Sequence, residues 1–358
     1  MKRSDAVTQL DDRAQLDFIL ALRRRWADTL YPALRREYEA AIDPASPPGS
    51  AAEAIPVIRP LPLYPWFSWT ERGQQKMMWR AISDAVAGAW PRLREQLRDL
   101  PAQPRGSLTL DPDLELPSWY TDYDIHIQPG GVWSDDTSAF VYEEGAKIVM
   151  LRENDEYLFH RLLVETAVPR RSYRRIVDVG CGFGKSTRPF VDAFPDAEVW
   201  GLDLSAPCLK LAHVQAERLG KTIHFRQADS RRTGFEDASV DLVTGTMVLH
   251  EMPPDAVADT IAEAARILRP GGVLRFLEFA PTGDPFRDAT VYEHGERNNE
   301  PFIPMLFDAD VAEFCAAAGL KNARWLPFDE RGGGVRTGWG RRDDWHFPWA
   351  VLAAEKPE

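Results

Sequence analysis

Residues 178–184, Asp178-Val-Gly180-Cys181-Gly182-Phe-Gly184, put three glycines at alternate positions behind an acid. Glycine lets a backbone turn sharply and come close to a ligand, because it has no Cβ to clash. Ahead of the glycines, Ile176, Val177 and Val179 form a β-branched run that predicts a buried parallel strand. Behind them, Lys185-Ser-Thr187 opens a stretch patterned as a helix, with Phe190, Val191 and Phe194 on one face. Strand, glycine turn and helix N-terminus together make the basic nucleotide-cofactor site of an α/β sheet.

Three loops compete for this pattern. A dinucleotide loop needs G-x-G-x-x-G, but here the third glycine comes one residue early and Lys185 stands where a small residue should pack. A phosphate loop, G-x-x-x-x-G-K-[ST], would use Gly184-Lys185-Ser186, yet its first glycine would fall on Val179. Counting from Gly180 leaves that loop one residue short of wrapping a phosphate with successive N–H groups. The third pattern, E/D-x-G-x-G-x-G, is met at every specified position. In this the chain resembles the class I S-adenosylmethionine-dependent methyltransferases.

Four later landmarks extend the resemblance over residues ~165–358, to the type 11 group with its ubiquinone/menaquinone-type relatives. Glu198–Asp203 reads as a second strand ending in an acid, 19 residues past Gly184, where a carboxylate can accept both ribose hydroxyls. Ile223–Asp229 reads as a third strand, with Asp229-Ser230 where the family meets the adenine amino group. Val240–Met247 reads as a fourth, and Leu268-Arg-Pro-Gly-Gly-Val273 as the turn into a fifth. The resemblance implies S-adenosyl-L-methionine as cofactor and S-adenosyl-L-homocysteine as product. It implies cofactor contacts at Asp178, Gly180, Cys181, Gly182 and Gly184, at Asp203 and Leu204, and at Asp229 and Ser230. Thr246, Met247 and, from a preceding lid, Tyr142 complete that set. The fold expected is α/β: a Rossmann-like, doubly wound, seven-stranded sheet with its last strand antiparallel, behind a mainly helical N-terminal cap.

The elements that must position these residues follow from periodicity and breakers. Residues 8–42 read as one or two helices and 43–50 as a loop. Ser68 is expected to cap a helix running to Trp90, which Pro91 would break or kink. Residues 101–120 read as a linker or surface crossing. Ile125–Trp133 suggests a strand–turn–strand about Pro129-Gly130-Gly131, and a helix is expected from about Glu143 to Val168. Helices are also expected at Ala206–Leu219, Pro253–Leu268 and Phe307–Gly319, with a loop-like insertion at Pro281–Pro304. Asn322–Pro327 and Phe347–Ala354 read as the closing strands, and 331–342 as a mobile loop. Three regions result: a helical part over 1–115, a cap or lid over 116–168, and the cofactor-binding core over 169–358.

Methyl transfer from a sulfonium needs chiefly orientation and exclusion of water, so no base is demanded. Where one is used, His250, His126 and His294 are the candidates, because histidine titrates near neutral pH. Glu278, at the end of the fifth strand, would suit an amine acceptor or an ion pair with an arginine. His250 and Glu251 have a second reading, as the start of a helix. The net charge of −12 argues against a nucleic-acid partner, since phosphate binding wants a basic face. Arg-rich patches such as Arg23–Arg25 are short, flanked by acids, and read as solvated surface. No apolar run approaches the ~18 residues of a membrane span, and no signal core opens the chain, so a cytoplasmic protein is expected. The three cysteines lack metal-ligand spacing, and no metal is implied. The acceptor expected is a small organic molecule. The alternatives are a protein or peptide acceptor and a descendant that binds the cofactor without transferring methyl.

Overall fold

The computed structural model describes residues 6–340 and 342–358. Helices α1 (Leu10–Arg25) and α2 (Tyr31–Ala41) run into one another through a π-helical turn at Trp26–Leu30. Pro32, in the first turn of α2, has no N–H to offer the preceding turn, a usual cause of such irregularity. Helix α3 (Ala51–Ile58) forms between the expected loop at 43–50 and the helix expected from Ser68, because Ser50 caps it by accepting from the Glu53 N–H. Helix α4 (Tyr64–Gln96) starts four residues before Ser68, whose hydroxyl instead donates to the Pro65 carbonyl. It also continues through Pro91, which costs a helix one hydrogen bond without ending it.

The expected linker holds a short strand, β1 (Ser107–Thr109), and a turn of helix, α5 (Ser118–Thr121). No strand pair forms at 125–133. His126, Ile127, Gly130 and Gly131 all have positive φ, so this segment coils into successive turns. The helix expected at 143–168 is two: α6 (Asp136–Val149), capped by Asp135, and α7 (Leu158–Ala167). Left-handed Leu151, Arg152 and Tyr157 separate them.

The core then alternates β2 (Arg175–Val179), α8 (Arg188–Ala193), β3 (Glu198–Asp203), α9 (Ala206–Arg218) and β4 (His224–Gln227). Strand β5 (Val240–Thr246), α10 (Pro254–Ile267) and β6 (Leu268–Phe279) follow. The supposed insertion is helix α11 (Pro285–Arg297), with Asp284 accepting from the Phe286 and Arg287 N–H groups and Pro285 in the first turn. The helix expected at 307–319 is split into α12 (Phe302–Asp308) and α13 (Val311–Ala317), the second capped by Asp310. Strands β7 (Lys321–Asp329), β8 (Gly334–Val335) and β9 (Trp349–Glu355) close the chain, β8 lying within the expected loop.

The sheet order is β1-β4-β3-β2-β5-β6-β9-β7-β8. Strands β1 to β6 pair in parallel, while β9 runs antiparallel between β6 and β7. The seven expected strands are present, and β1 and β8 extend the edges to nine. The order reverses between β2 and β5, so the C-terminal ends of those strands diverge into a crevice. Ile176, Val177, Leu242, Val243, Leu274 and Phe276 are fully buried, as strands covered on both faces require. The N-terminal helices share cores with this half of the chain. Trp26, Tyr31 and Phe67 cluster with Phe286, Trp345 and Trp349, and Trp79 and Phe140 with Phe183 and Cys208. Among the described residues, no helix is long and apolar enough to cross a membrane.

Candidate active site

The crevice between β2 and β5 is a cleft of about 750 Å³ whose lining includes Gly180, Gly182, Asp203, Thr246 and Met247. Gly180 and Gly182 have φ of +65° and +51°, a region glycine enters without steric cost. A Cβ on Gly180 would collide with Val248, and one on Gly182 would reach Tyr142 at 3.6 Å. Asp203, at the end of β3, accepts from the backbone N–H groups of Gly182 and Ser205, each at 2.7 Å. It thereby ties the glycine turn to the neighbouring strand. Burial pushes its carboxyl up to about 6.

Two hydroxyls at this cleft, those of Tyr120 and Thr246, are buried without a hydrogen-bond partner among the described residues. Buried polar groups are normally satisfied, so an orphaned pair beside a carboxylate and a glycine cradle points to a polar ligand. A nucleoside cofactor fits these groups. Asp203 would take the ribose hydroxyls, and Gly180 and Gly182 leave room for close approach.

Leu204, Ser230, Met247 and Tyr142 also line the cleft. Four expected contacts do not. Asp178 is fully buried and faces the start of α8, accepting from the Ser186 and Thr187 hydroxyls at 2.6 and 2.7 Å. Burial raises its carboxyl to about 7. Cys181 packs with Leu209, Ala212 and Phe225, its N–H donating to the Leu202 carbonyl. Gly184 makes room for α9, since a Cβ there would stand 3.1 Å from that of Ala212. Asp229 is held by the Arg231 guanidinium at 2.6 Å on an adjoining surface groove. Trp119, Tyr120 and Met252 are lining residues that the sequence reading missed. The adjacent aromatics Trp119-Tyr120, at the edge of the supposed linker, were the available signal.

Beyond His126, Tyr142, Met247 and Glu251, which both spaces share, lies a second cavity of about 570 Å³. Met247, between them, has a φ of +55°, a costly conformation for a residue with a side chain. His126, His250 and His294 all reach this second cavity, from three separate elements. His126 bridges two carboxylates, with Nδ1 3.0 Å from Glu300 and Nε2 3.0 Å from Glu251. The Nδ1 of His250 lies 2.5 Å from Glu278, and the Nδ1 of His294 lies 2.5 Å from Glu71. The ring of His294 also presents Nε2 toward Glu300 at 3.6 Å.

Burial alone would discharge these rings, but the carboxylates prevail and raise all three pKa values, that of His126 most. Burial likewise opposes the charge on Glu300, yet His126 and His294 hold its carboxyl far below the ordinary range. Raised pKa values favour the protonated, hydrogen-bond-donating form of these rings, which tells against the general-base role considered for them. Glu278 is wholly buried and accepts from the N–H groups of Val248, Leu249 and Phe279 as well as from His250. It therefore positions His250 and does not face an acceptor. Among the described residues, no group of three or more His, Cys, Asp or Glu is arranged to hold a metal ion.

A doubly wound sheet with this order, a glycine turn at its switch point and an acid ending the next strand make the fold of the class I S-adenosylmethionine-dependent methyltransferases. Residues 176–272 match the family described as "Methyltransferase domain". The chain is 36% identical over 118 residues to the malonyl-[acyl-carrier protein] O-methyltransferase of Enterobacter lignolyticus, covering 33% of this chain and 44% of that protein. It is 26% identical over 163 residues to the ubiquinone biosynthesis O-methyltransferase of Aromatoleum aromaticum, covering 43% of this chain and 66% of that one. A solved structure of Haemonchus contortus phosphoethanolamine N-methyltransferase 2 with S-adenosyl-L-methionine aligns with 63% of this chain and 58% of its own, at 16% identity and a TM-score of 0.44. The chain thus spans roughly half to two thirds of the length of these relatives.

The raised carboxyl of Asp203 has a measurable consequence. Ribose hydroxyls donate to the ionised form, so protonation competes with binding. Cofactor affinity is expected to be flat above about pH 7 and to fall up to about tenfold per unit below the Asp203 pKa of about 6. Titration calorimetry with S-adenosylhomocysteine from pH 5 to pH 8 checks this. An affinity independent of pH down to about 5 would remove Asp203 from that role.

Proposed function

We propose that the protein transfers a methyl group from S-adenosylmethionine to a small organic molecule enclosed in the second cavity. The observation that carries this reading is the pair of adjoining spaces, one built for a nucleoside and one walled by aromatics, meeting at Tyr142 and Met247. The cofactor supplies an activated methyl group on a sulfonium. The chain's own task is to align the acceptor for in-line attack and keep water out. Trp79, Phe279 and Phe347 wall the acceptor space, and Nε2 of His250, 3.9 Å from Glu251 and 4.0 Å from Glu300, is the ring nitrogen left to fix the acceptor's orientation.

Residues 1–115 and 116–168 act as cap and lid in this reading. Helices α1, α4 and α6 contribute Arg23, Gln75, Trp79 and Tyr142 to the second cavity, and so close it from above the sheet edge. Such enclosure favours a small molecule over a protein substrate, and the charge of −12 disfavours nucleic acid.

The test uses methyl-labelled S-adenosylmethionine with a metabolite extract and, separately, a protein extract, with Asp203→Ala as control. Label in an organic small molecule, lost in the control, is the expected result. Label in protein would move the acceptor class. Tight cofactor binding with no transfer in either extract would support a descendant that has lost the chemistry.

A further inference from the structure

Arg23 belongs to a run expected to lie on solvated surface, yet only 5% of it is exposed. Its Nη1 donates to Gln75 Oε1 at 2.7 Å, and among the described residues no carboxylate lies within ion-pair distance of it. The two carboxylates whose charge it feels are already engaged. Glu71 is bound to His294 and Arg297, and Glu300 to His126. Loss of water lowers the guanidinium pKa to about 10.

A buried arginine without a counter-charge is costly, and an apolar residue of similar volume would be cheaper for folding. The position of Arg23 shows what that cost can serve. It lies in the wall common to the acceptor cavity and a neighbouring space of about 610 Å³ lined by Trp26, Trp345 and His346. Each histidine bordering the acceptor cavity is matched by a carboxylate, His126 by Glu251 and Glu300, His250 by Glu278 and His294 by Glu71, whereas Arg23 has no carboxylate of its own among the described residues. The cavity's remaining wall is largely apolar, with Trp79, Phe279 and Phe347 among Val149, Met150 and Met247.

We infer that Arg23 is the anion-binding residue of the acceptor cavity: the acceptor carries a carboxylate that pairs with this guanidinium, while its apolar body lies against Trp79, Phe279 and Phe347. The planar fork of arginine matches a carboxylate with two parallel hydrogen bonds. This rests on the methyl-transfer reading. Arg23 lies on α1, outside residues 176–272, so acceptor selection belongs to the part of the chain that the domain match does not cover.

The experiment equilibrates the full-length protein with S-adenosylhomocysteine and a metabolite extract, then identifies retained compounds by mass. Wild type is compared with Arg23→Met, which removes the charge, and with Arg23→Lys, which keeps the charge but not the fork. The expected result is a compound that binds an anion exchanger at pH 7. Its retention should fall on the order of 30-fold or more in Arg23→Met and partly recover in Arg23→Lys. Retention of S-adenosylhomocysteine should not change.

A neutral or cationic compound retained by wild type overturns the inference without reference to any variant, so a poorly folding Arg23→Met would not shield it. Equal retention by Arg23→Met overturns it too, as does retention of nothing beyond S-adenosylhomocysteine. Failure of wild type to retain S-adenosylhomocysteine would instead strike the methyl-transfer reading itself.

Discussion

Replacing Asp203 by alanine is expected to weaken S-adenosylmethionine binding by about 100-fold or more. Hydrogen bonds to an ionised group contribute about 1.5–3 kcal/mol each, so losing a two-hydroxyl acceptor is worth at least that order. The carboxylate also accepts from the Gly182 and Ser205 N–H groups, and without it the glycine turn loses its tie to β3. Asp203→Asn keeps the shape and one acceptor, so its loss should be smaller and its binding independent of pH. Stability should move differently from affinity. The folded pKa of Asp203, about 6, lies above that of an unfolded aspartate. An acid raised in this way contributes stability that is full below its unfolded pKa and is lost as pH rises through the folded value. At pH 7 the ligand-free Asp203→Asn protein should therefore melt no lower than wild type. Calorimetric titration and thermal melts separate the two effects, and a variant with affinity within threefold of wild type would refute the role.

Glu300→Gln should be among the more destabilising single changes in the protein. The loss should fall below the roughly 3–5 kcal/mol usual for stranding one member of a buried ion pair, because Glu251 still faces His126 and Glu71 still faces His294. Glu300 is 3% exposed and stands between His126 and His294, so an amide there leaves two buried imidazolium rings short of a counter-charge. Against a total stability of about 5–15 kcal/mol the loss is large. Its pH dependence has a definite sign. The depressed Glu300 pKa contributes stability above about pH 4.5, lost as pH falls toward its folded value. The raised histidines contribute stability below about pH 6.5, lost as pH rises through their folded values. The gap between wild type and variant should therefore be widest at about pH 5–6.5 and narrow on either side. Urea unfolding across that range measures it, and a loss under 1 kcal/mol at pH 6 would show that the rings are uncharged.

Much of the core was legible because its signals are local. A parallel strand covered on both faces needs a β-branched run, and Ile176-Val177 and Val240–Val243 supply one. Strand Glu198–Asp203 has the bounds expected of it, since glycine and acid mark its course and end. Glycines at 180 and 182 announce a turn that residues with a Cβ would resist. The errors fell where backbone sign or capping decided the outcome. Positive φ at His126 and Ile127 leaves no mark in apolar alternation, so turns were read as a strand pair. The cap at Asp284 was visible in Asp284-Pro285 but was passed over within a stretch read as a loop.

The core strands and the glycine turn are written in the chain itself, because each depends on residues within a strand or turn of one another; strand order is not, since Ser107 pairs with His224 and Val273 with Glu355. Which acids face the cleft is a matter of packing. Asp178 and Asp229 carry the expected residue types, yet the Ser186 and Thr187 hydroxyls just ahead of α8 claim the first and Arg231 the second. The acceptor cavity is wholly tertiary: His294 meets Glu71 across 223 positions, and Arg23 meets Gln75 across 52. Periodicity reports what lies within a few turns of a residue. It says nothing of the counter-charge that a distant helix brings, and in a buried site that partner determines whether a ring holds its proton.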